Sequence, residues 1–431
     1  MGDFIIILLF ILGAAAISKR IQGTMITLPI VYVILGLILS DLGIGAVNLS
    51  LDNELVKIIA ELTLVLVLST DASRISFGLV RRDHNLPIRL LAVGLPLTMI
   101  LGALVASLVF DSLILGEVAI VGILLAPTDA SLGQAVMTNP LVPQRIRQTL
   151  NIESGLNDGI AMPFLLMAVA VVSAEEFGGV TYWLTLGARQ IGFGILVGLV
   201  MGFLGWYFLL WGIKSRWMSD GFQKISAIVL ILLAYGLALL VGGNGFIAAF
   251  VFGAVLGNLA GKSEIKELND YIEVEIELLI LLTFMVVFGG VMLPPAIRTL
   301  DWQIVLYALL SLTVVRIIPV WISLIRARVR PVTAGFLGWF GPRGTASILY
   351  LFTVLEVDDL VGMQTIYNAT VITVFLSVIL HGLSAAPAAR WYGQFVSKQD
   401  QSGEDVPELA VVPALPLRGQ SADKQKKANG N

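Results

Sequence analysis

Asp129, Asn157 and Asp158 lie inside long apolar stretches, in Ala126-Pro127-Thr128-Asp129-Ala130 and Glu153-Ser154-Gly155-Leu156-Asn157-Asp158-Gly159. A carboxylate at bilayer depth costs at least about 2.5 kcal/mol, and such groups mark ion or proton pathways. Ser154 and Asp158 are four residues apart, so on a helix they share a face, with Glu153 and Asn157 on the neighbouring stripe. A hard monovalent cation takes oxygen ligands, which serine, threonine, aspartate and freed backbone carbonyls supply. One carboxyl group can hold a proton or a cation, but not both at once. Asp158 is therefore read as the carrier of both in turn.

The elements that must position these residues follow from composition. The chain is 57% hydrophobic and only 13% charged, against roughly 25% charge in a soluble domain, and its mean hydropathy is +0.91. It reads as an integral membrane protein. A net charge of -3 argues against nucleic acid as a partner. The absence of cysteine removes disulfides and thiolate chemistry, and His84 and His381 alone do not make a resident metal site. No GxxxxGK[ST] sequence occurs, so ATP is not the expected energy source. No cofactor is expected. Met1-Gly2-Asp3 has no basic segment ahead of its apolar run, so the first stretch is read as a retained helix.

About thirteen apolar stretches long enough to span a bilayer follow one another from Asp3 to Ala386. The eighth and ninth are parted only by Gly242-Gly243-Asn244-Gly245. Charge supports the split. Basic connections (Lys19 and Arg20; Arg74 to Arg89; Arg145 and Arg147; Lys214 to Lys224; Lys262 and Lys266; Arg326 to Arg330) alternate with acidic ones such as Asp111 and Glu117 or Glu356 to Asp359. Lysine and arginine mark cytoplasmic loops, which places the N-terminus outside and the C-terminus in the cytoplasm. Residues from Val396 onward are rich in polar residues and proline and read as a disordered cytoplasmic tail.

Two of the spans share a feature. Pro127-Thr128-Asp129 and Gly341-Pro342-Arg343-Gly344 each fall mid-span, in the fifth and twelfth stretches. Proline removes a backbone donor and breaks the helix. Seven spans apart means opposite orientation, and two broken helices in inverted positions point to a transporter binding site. Half-helix N-termini favour anions and C-termini cations, which suits Asp129 to the former and Arg343 to the latter. Simple kinks in buried helices are the plainer alternative. A membrane arginine needs a partner, and Glu153 with Arg343 is the expected pair. Asp71 is either a further ligand or a helix-end charge paired with Arg74. Arg316 is expected to line a cavity, to reach an interface or to pack structurally. His381, near the end of the last span, is a candidate pH sensor, while His84 and the acidic run from Glu264 to Glu277 read as solvated.

At these residues the chain resembles the monovalent cation/proton antiporter family, in its NhaP-type branch with the sodium/proton exchangers. The matching pieces are Pro127-Thr128-Asp129, Glu153-Ser154 with Asn157-Asp158, and Gly341-Pro342-Arg343-Gly344. The resemblance implies an all-α polytopic membrane protein with inverted repeats and two crossing broken helices. It implies a transmembrane domain over 1–395, with a mobile core near 87–172 and 302–386 and a dimerisation part near 1–72 and 184–293, followed by a tail over 396–431. It implies a homodimer in the plasma (inner) membrane that exchanges Na+, or else Li+ or K+, for H+. Asp158 would bind cation and proton alternately, with Ser154, Thr128, Asp129 and Asp71 as further ligand candidates. Asn157, Glu153, Arg343, Pro127 and Pro342 would support the site. The Asn157-Asp158 pair resembles that of electroneutral members.

Other classes fit these residues less well. An organic-solute symporter on a related fold calls for aromatic or multiple polar groups at the crossing. An intramembrane aspartyl protease could use Asp129 and Asp158, but Gly155-Leu156-Asn157-Asp158 lacks the GxGD pattern. A channel would be distinguished by its turnover and current. The expected protein is therefore not an enzyme.

Overall fold

The computed structural model describes residues 2–21, 24, 26–46, 49–75, 85–177, 180–260, 276–357, 360–402, 406–410 and 412. The basic loop holding Arg81, Arg82 and His84, the acidic residues Glu264 to Glu275, and Asp358 and Asp359 fall outside that set, as does the chain beyond Val412.

Among the described residues the secondary structure is helical. The order is α1 (Gly2–Ile21), α2 (Leu28–Leu39), α3 (Glu54–Arg74) and α4 (Asn85–Val109), then α5 (Leu115–Leu124) and α6 (Ala130–Met137). There follow α7 (Gln144–Phe177), α8 (Val180–Lys214), α9 (Asp220–Leu240), α10 (Gly245–Ala260), α11 (Ile276–Arg298) and α12 (Trp302–Ser323). The chain continues through α13 (Pro331–Trp339), α14 (Thr345–Leu355) and α15 (Met363–Gln401). Each expected span has its helix or its pair of half-helices. Among the described residues seven helices are long and apolar enough to cross a membrane outright. The fifth and twelfth spans are each broken in two, α5/α6 and α13/α14, at the prolines that predicted it, while α12 is interrupted only at Thr313 among its described residues. Gly242 turns the chain between α9 and α10 at φ 76°, a left-handed conformation glycine adopts without strain, so the close split between the eighth and ninth spans stands.

The helices form two compact units. Of the described residues, the first holds those within 1–61, 85–154 and 280–412, and the second those within 62–75 and 155–279. In the first unit, α2 crosses the widened, π-helical stretch Thr283–Met292 of α11 where Gly36 meets Gly289. A Cβ at Gly36 would overlap backbone there, so the crossing depends on both glycines. In the second unit, Gly253 and Gly257 of α10 let that helix lie against the carbonyl oxygens of Ser69 and Ser73 on α3. Backbone cannot give way as a side chain can. Gly253→Val is expected to destabilise the protein by about 1–3 kcal/mol, read as a lower thermal unfolding midpoint; an unchanged midpoint would mean the two helices are not so close.

The last helix corrects an expectation. α15 runs to Gln401, well past the expected span end at Ala386, so 396–401 is helix rather than disordered tail. Residues 406–410 and 412 lie against earlier parts of the chain. Val406, Glu408 and Val412 are buried. One Glu408 oxygen accepts from the Arg330 N–H at 3.0 Å and from the Thr333 hydroxyl at 2.7 Å, at the start of α13. The carbonyls of Pro407 and Val412 accept from Arg145 (2.9 Å) and Gln144 (2.8 Å) at the start of α7. Composition hid this because the segment takes its order from partners far away in sequence. Glu408→Ala is expected to cost about 1 kcal/mol, as loss of a helix cap does, measurable as a lowered unfolding midpoint.

Candidate functional site

The two helix breaks meet within the first unit, and several of the hydrogen-bonding groups they free are paired there. A broken helix exposes N–H groups at one end and C=O groups at the other, which cost energy if buried unpaired. Asp129 is the N-cap of α6 and accepts from the Ser131 N–H at 2.6 Å and from the Ser131 hydroxyl. Its other oxygen accepts from the Thr345 N–H and from the Thr345 hydroxyl at 2.5 Å, at the start of α14. One carboxylate thus caps two half-helices. The Asp129 N–H donates to the Pro342 carbonyl at 2.8 Å, joining the two extended segments. Ser347 of α14 donates to the Leu124 carbonyl at the end of α5, 2.7 Å away.

Arg343 serves the carbonyl side of the crossing. Its Nη1 donates to the carbonyls of Pro127 at 3.3 Å and Gly341 at 3.1 Å, one from each broken segment. Its own N–H donates to the Ser377 hydroxyl at 2.7 Å. Anion at the N-termini and cation at the freed carbonyls is the arrangement the helix dipoles favour. Gly344 has no side chain because a Cβ there would run into the Asp129 carboxylate. Asp129→Ala removes both caps at about 1 kcal/mol each and strands buried donors at a further 1 kcal/mol or more, roughly. A midpoint within a degree of wild type would show that the carboxylate does not hold the crossing.

The expected Glu153–Arg343 ion pair is not formed. Glu153 pairs with Arg316 of α12, Oε1 to Nη1 at 2.7 Å, with both side chains almost wholly buried. Arg343 is committed to backbone carbonyls instead, and Gly341 makes room for Arg316, whose Nε occupies the space a Cβ would take. The sequence signal was present: Arg316 is a lone mid-span arginine, and its distance in sequence from Glu153 concealed the pairing.

α7 carries the rest. Glu153, Ser154, Asn157 and Asp158 are all buried within little more than one turn. The Ser154 hydroxyl donates to the Leu150 carbonyl at 2.9 Å on its own helix. Its proton is thereby spent while the oxygen lone pairs remain to receive a cation. Thr128 is buried in the extended segment between α5 and α6. In the second unit, the Asp71 carbonyl of α3 lies 3.4 Å from where a Cβ of Gly155 would sit, and Phe250 of α10 lies against Gly159. Asp71 is buried, with its carboxylate 3.5 Å from Arg74 one turn along, the pairing weighed as its alternative role. His381 lies mid-helix in α15, not at a span end. Its Nε2 faces the Trp339 carbonyl at 2.8 Å and its Nδ1 the Ser377 carbonyl at 3.0 Å. Thr345, Ser347 and Ser377, hydroxyls that complete the crossing, had no sequence signal beyond their nearness to the break or to His381. No cluster of three or more His, Asp or Glu suited to a resident metal ion occurs among the described residues.

The family model described as sodium/hydrogen exchanger, transmembrane, matches residues 5–391. The chain is similar to the K(+)/H(+) antiporter NhaP2 of Shewanella sp. (strain ANA-3), at 24% identity over 392 residues, covering 88% of this chain and 66% of the relative. It is similar to the Na(+)/H(+) antiporter ApNhaP of Aphanothece halophytica, at 25% identity over 455 residues, covering 100% of this chain and 84% of that protein. The chain spans just under two thirds of the length of the NhaP2 relatives it matches. Its fold matches that of the sodium proton antiporter MjNhaP1 from Methanocaldococcus jannaschii, with a TM-score of 0.69 at 20% identity, covering 89% of this chain and 100% of that one.

Proposed function

The chain belongs to the sodium/hydrogen exchanger family, and from that footing we propose that it exchanges a monovalent cation for protons across a membrane by alternating access. The observation that carries the reading is the buried carboxyl group of Asp158, one helical turn from the buried Ser154 hydroxyl in an apolar helix. A proton and a cation compete for that carboxylate. Exchange follows if the protein changes access only when one of them is bound. Ser154 supplies a neutral oxygen, and Thr128 is the proposed further ligand on the family resemblance. Asn157 steadies the helix beside the carrier, and on the family resemblance the Asn157-Asp158 pair favours one-for-one, electroneutral exchange. Asp71 is the proposed auxiliary acid. Asp129, first expected among the ligands, is assigned to the crossing, because its oxygens already accept four donors. The homodimer, the mobile core, the plasma-membrane location and the cytoplasmic C-terminus belong to the same proposal.

Na+ is the proposed cation. K+ is the second reading, favoured by similarity to proteins named K(+)/H(+) antiporters. The test is proton release from acid-loaded proteoliposomes on adding Na+, Li+ or K+ separately. Dissipation of the pH gradient by Na+ supports the first reading, by K+ alone the second, and by none of the three overturns both. An exchange rate that responds to membrane voltage would overturn electroneutrality.

A further inference from the structure

The first unit carries an apolar groove of about 430 Å³ that the exchange reaction does not use. Trp321 of α12, Pro331, Gly335, Phe336 and Trp339 of α13, and Trp391 of α15 line it, and it reaches Phe340 at the start of the second helix break. Trp321 and Trp391 are each about half exposed. Tryptophan concentrates where hydrocarbon meets headgroups.

The walls of this groove lead into arginines. α12 leaves Trp321 and ends in the turn holding Arg326 and Arg328, and Arg390 adjoins Trp391 on α15. All three arginines are exposed, and among the described residues no acidic side chain pairs with any of them. Arg326 and Arg328 both have left-handed backbone, at φ 63° and 51°, a conformation costly to residues other than glycine. That cost persists where the surrounding structure imposes it, often at ligand clamps.

We propose that this groove binds one anionic phospholipid, its acyl chain lying along α13 and its phosphate met by Arg326, Arg328 and Arg390. Guanidinium is the side-chain group best matched to phosphate, and an apolar groove whose lining segments continue along the chain into three exposed arginines fits an anionic lipid better than a neutral one. The same face of α13 carries Phe336, stacked on Tyr392 at 4.1 Å, and Phe340 beside the break. An acyl chain there would brace the half-helix that leads to Arg343, so the lipid would support the crossing from outside.

The test uses the full chain in phosphatidylcholine nanodiscs with a rising fraction of phosphatidylglycerol. It reads retained lipid by native mass spectrometry and the thermal unfolding midpoint. Wild type is expected to retain phosphatidylglycerol preferentially and to unfold several degrees higher with it. The triple variant R326Q/R328Q/R390Q is expected to lose that preference by at least about tenfold, since each basic residue adds to anionic-lipid attraction. At Gly335, which lines the groove, a Cβ would meet only the Trp321 ring nitrogen, in ordinary contact at 4.0 Å, so Gly335→Leu is expected to fill the groove, to keep the unfolding midpoint of wild type in phosphatidylcholine alone and to retain neither lipid. Equal stabilisation of wild type and both variants would mean a bulk surface-charge effect and overturn the site. A change in oligomeric mass with Gly335→Leu would make the groove a contact between copies and overturn it too. Equal stabilisation of wild type by soluble glycerol phosphate would exclude the lipid.

Discussion

Asp158→Asn is expected to abolish cation-driven proton movement in proteoliposomes while the protein still folds. Asparagine has nearly the same shape and is neutral, so the buried position tolerates it. It takes up no proton near neutral pH and offers a cation only a dipole. Loss should be complete for Na+, Li+ and K+ alike if, as proposed, the carboxylate is where cation and proton compete. Ser154→Ala removes one neutral oxygen and should instead weaken apparent cation affinity while leaving measurable turnover. Exchange at wild-type rate in Asp158→Asn, with an unfolding midpoint like that of wild type, would remove this residue as the carrier.

The second large effect concerns the Glu153–Arg316 pair. Removing one member of a buried ion pair leaves the other charge unpaired and costs about 3–5 kcal/mol, whereas replacing both with neutral groups costs far less. Glu153→Gln and Arg316→Gln are therefore each expected to lower thermal stability sharply, and the double variant to lose much less than their sum. Coupling of this size separates partners from bystanders. The same cycle with Arg343→Gln should show weaker coupling to Glu153, because Arg343 spends its Nη1 on the Pro127 and Gly341 carbonyls. If coupling to Arg343 exceeded coupling to Arg316, the pairing would be assigned wrongly.

Hydropathy, the two prolines and the α7 acids were decided locally. A hydrophobic run of sufficient length has one stable outcome in lipid, a helix with its backbone paired internally, so the spans were legible one at a time. Proline breaks a helix whatever lies around it, so Pro127 and Pro342 announced the breaks. The spacing of Ser154 and Asp158 followed from helical period alone. Partners were another matter. Arg316 and Arg343 are both buried mid-membrane arginines, and nothing in composition says which of them meets Glu153. Only packing, with Gly341 leaving room for Arg316, decided that. The capping of α14 by Asp129 joins residues 129 and 345, and the docking of Glu408 on α13 joins 408 to 330. Such contacts have no local signature, because a hydrogen-bond acceptor is indifferent to where along the chain its donor was made. The sequence by itself thus determined which segments are apolar enough to enter the membrane, where two of them break and which acid is proposed as the carrier. The tertiary structure decided which charge neutralises which, since that depends on distances set only once the helices have packed.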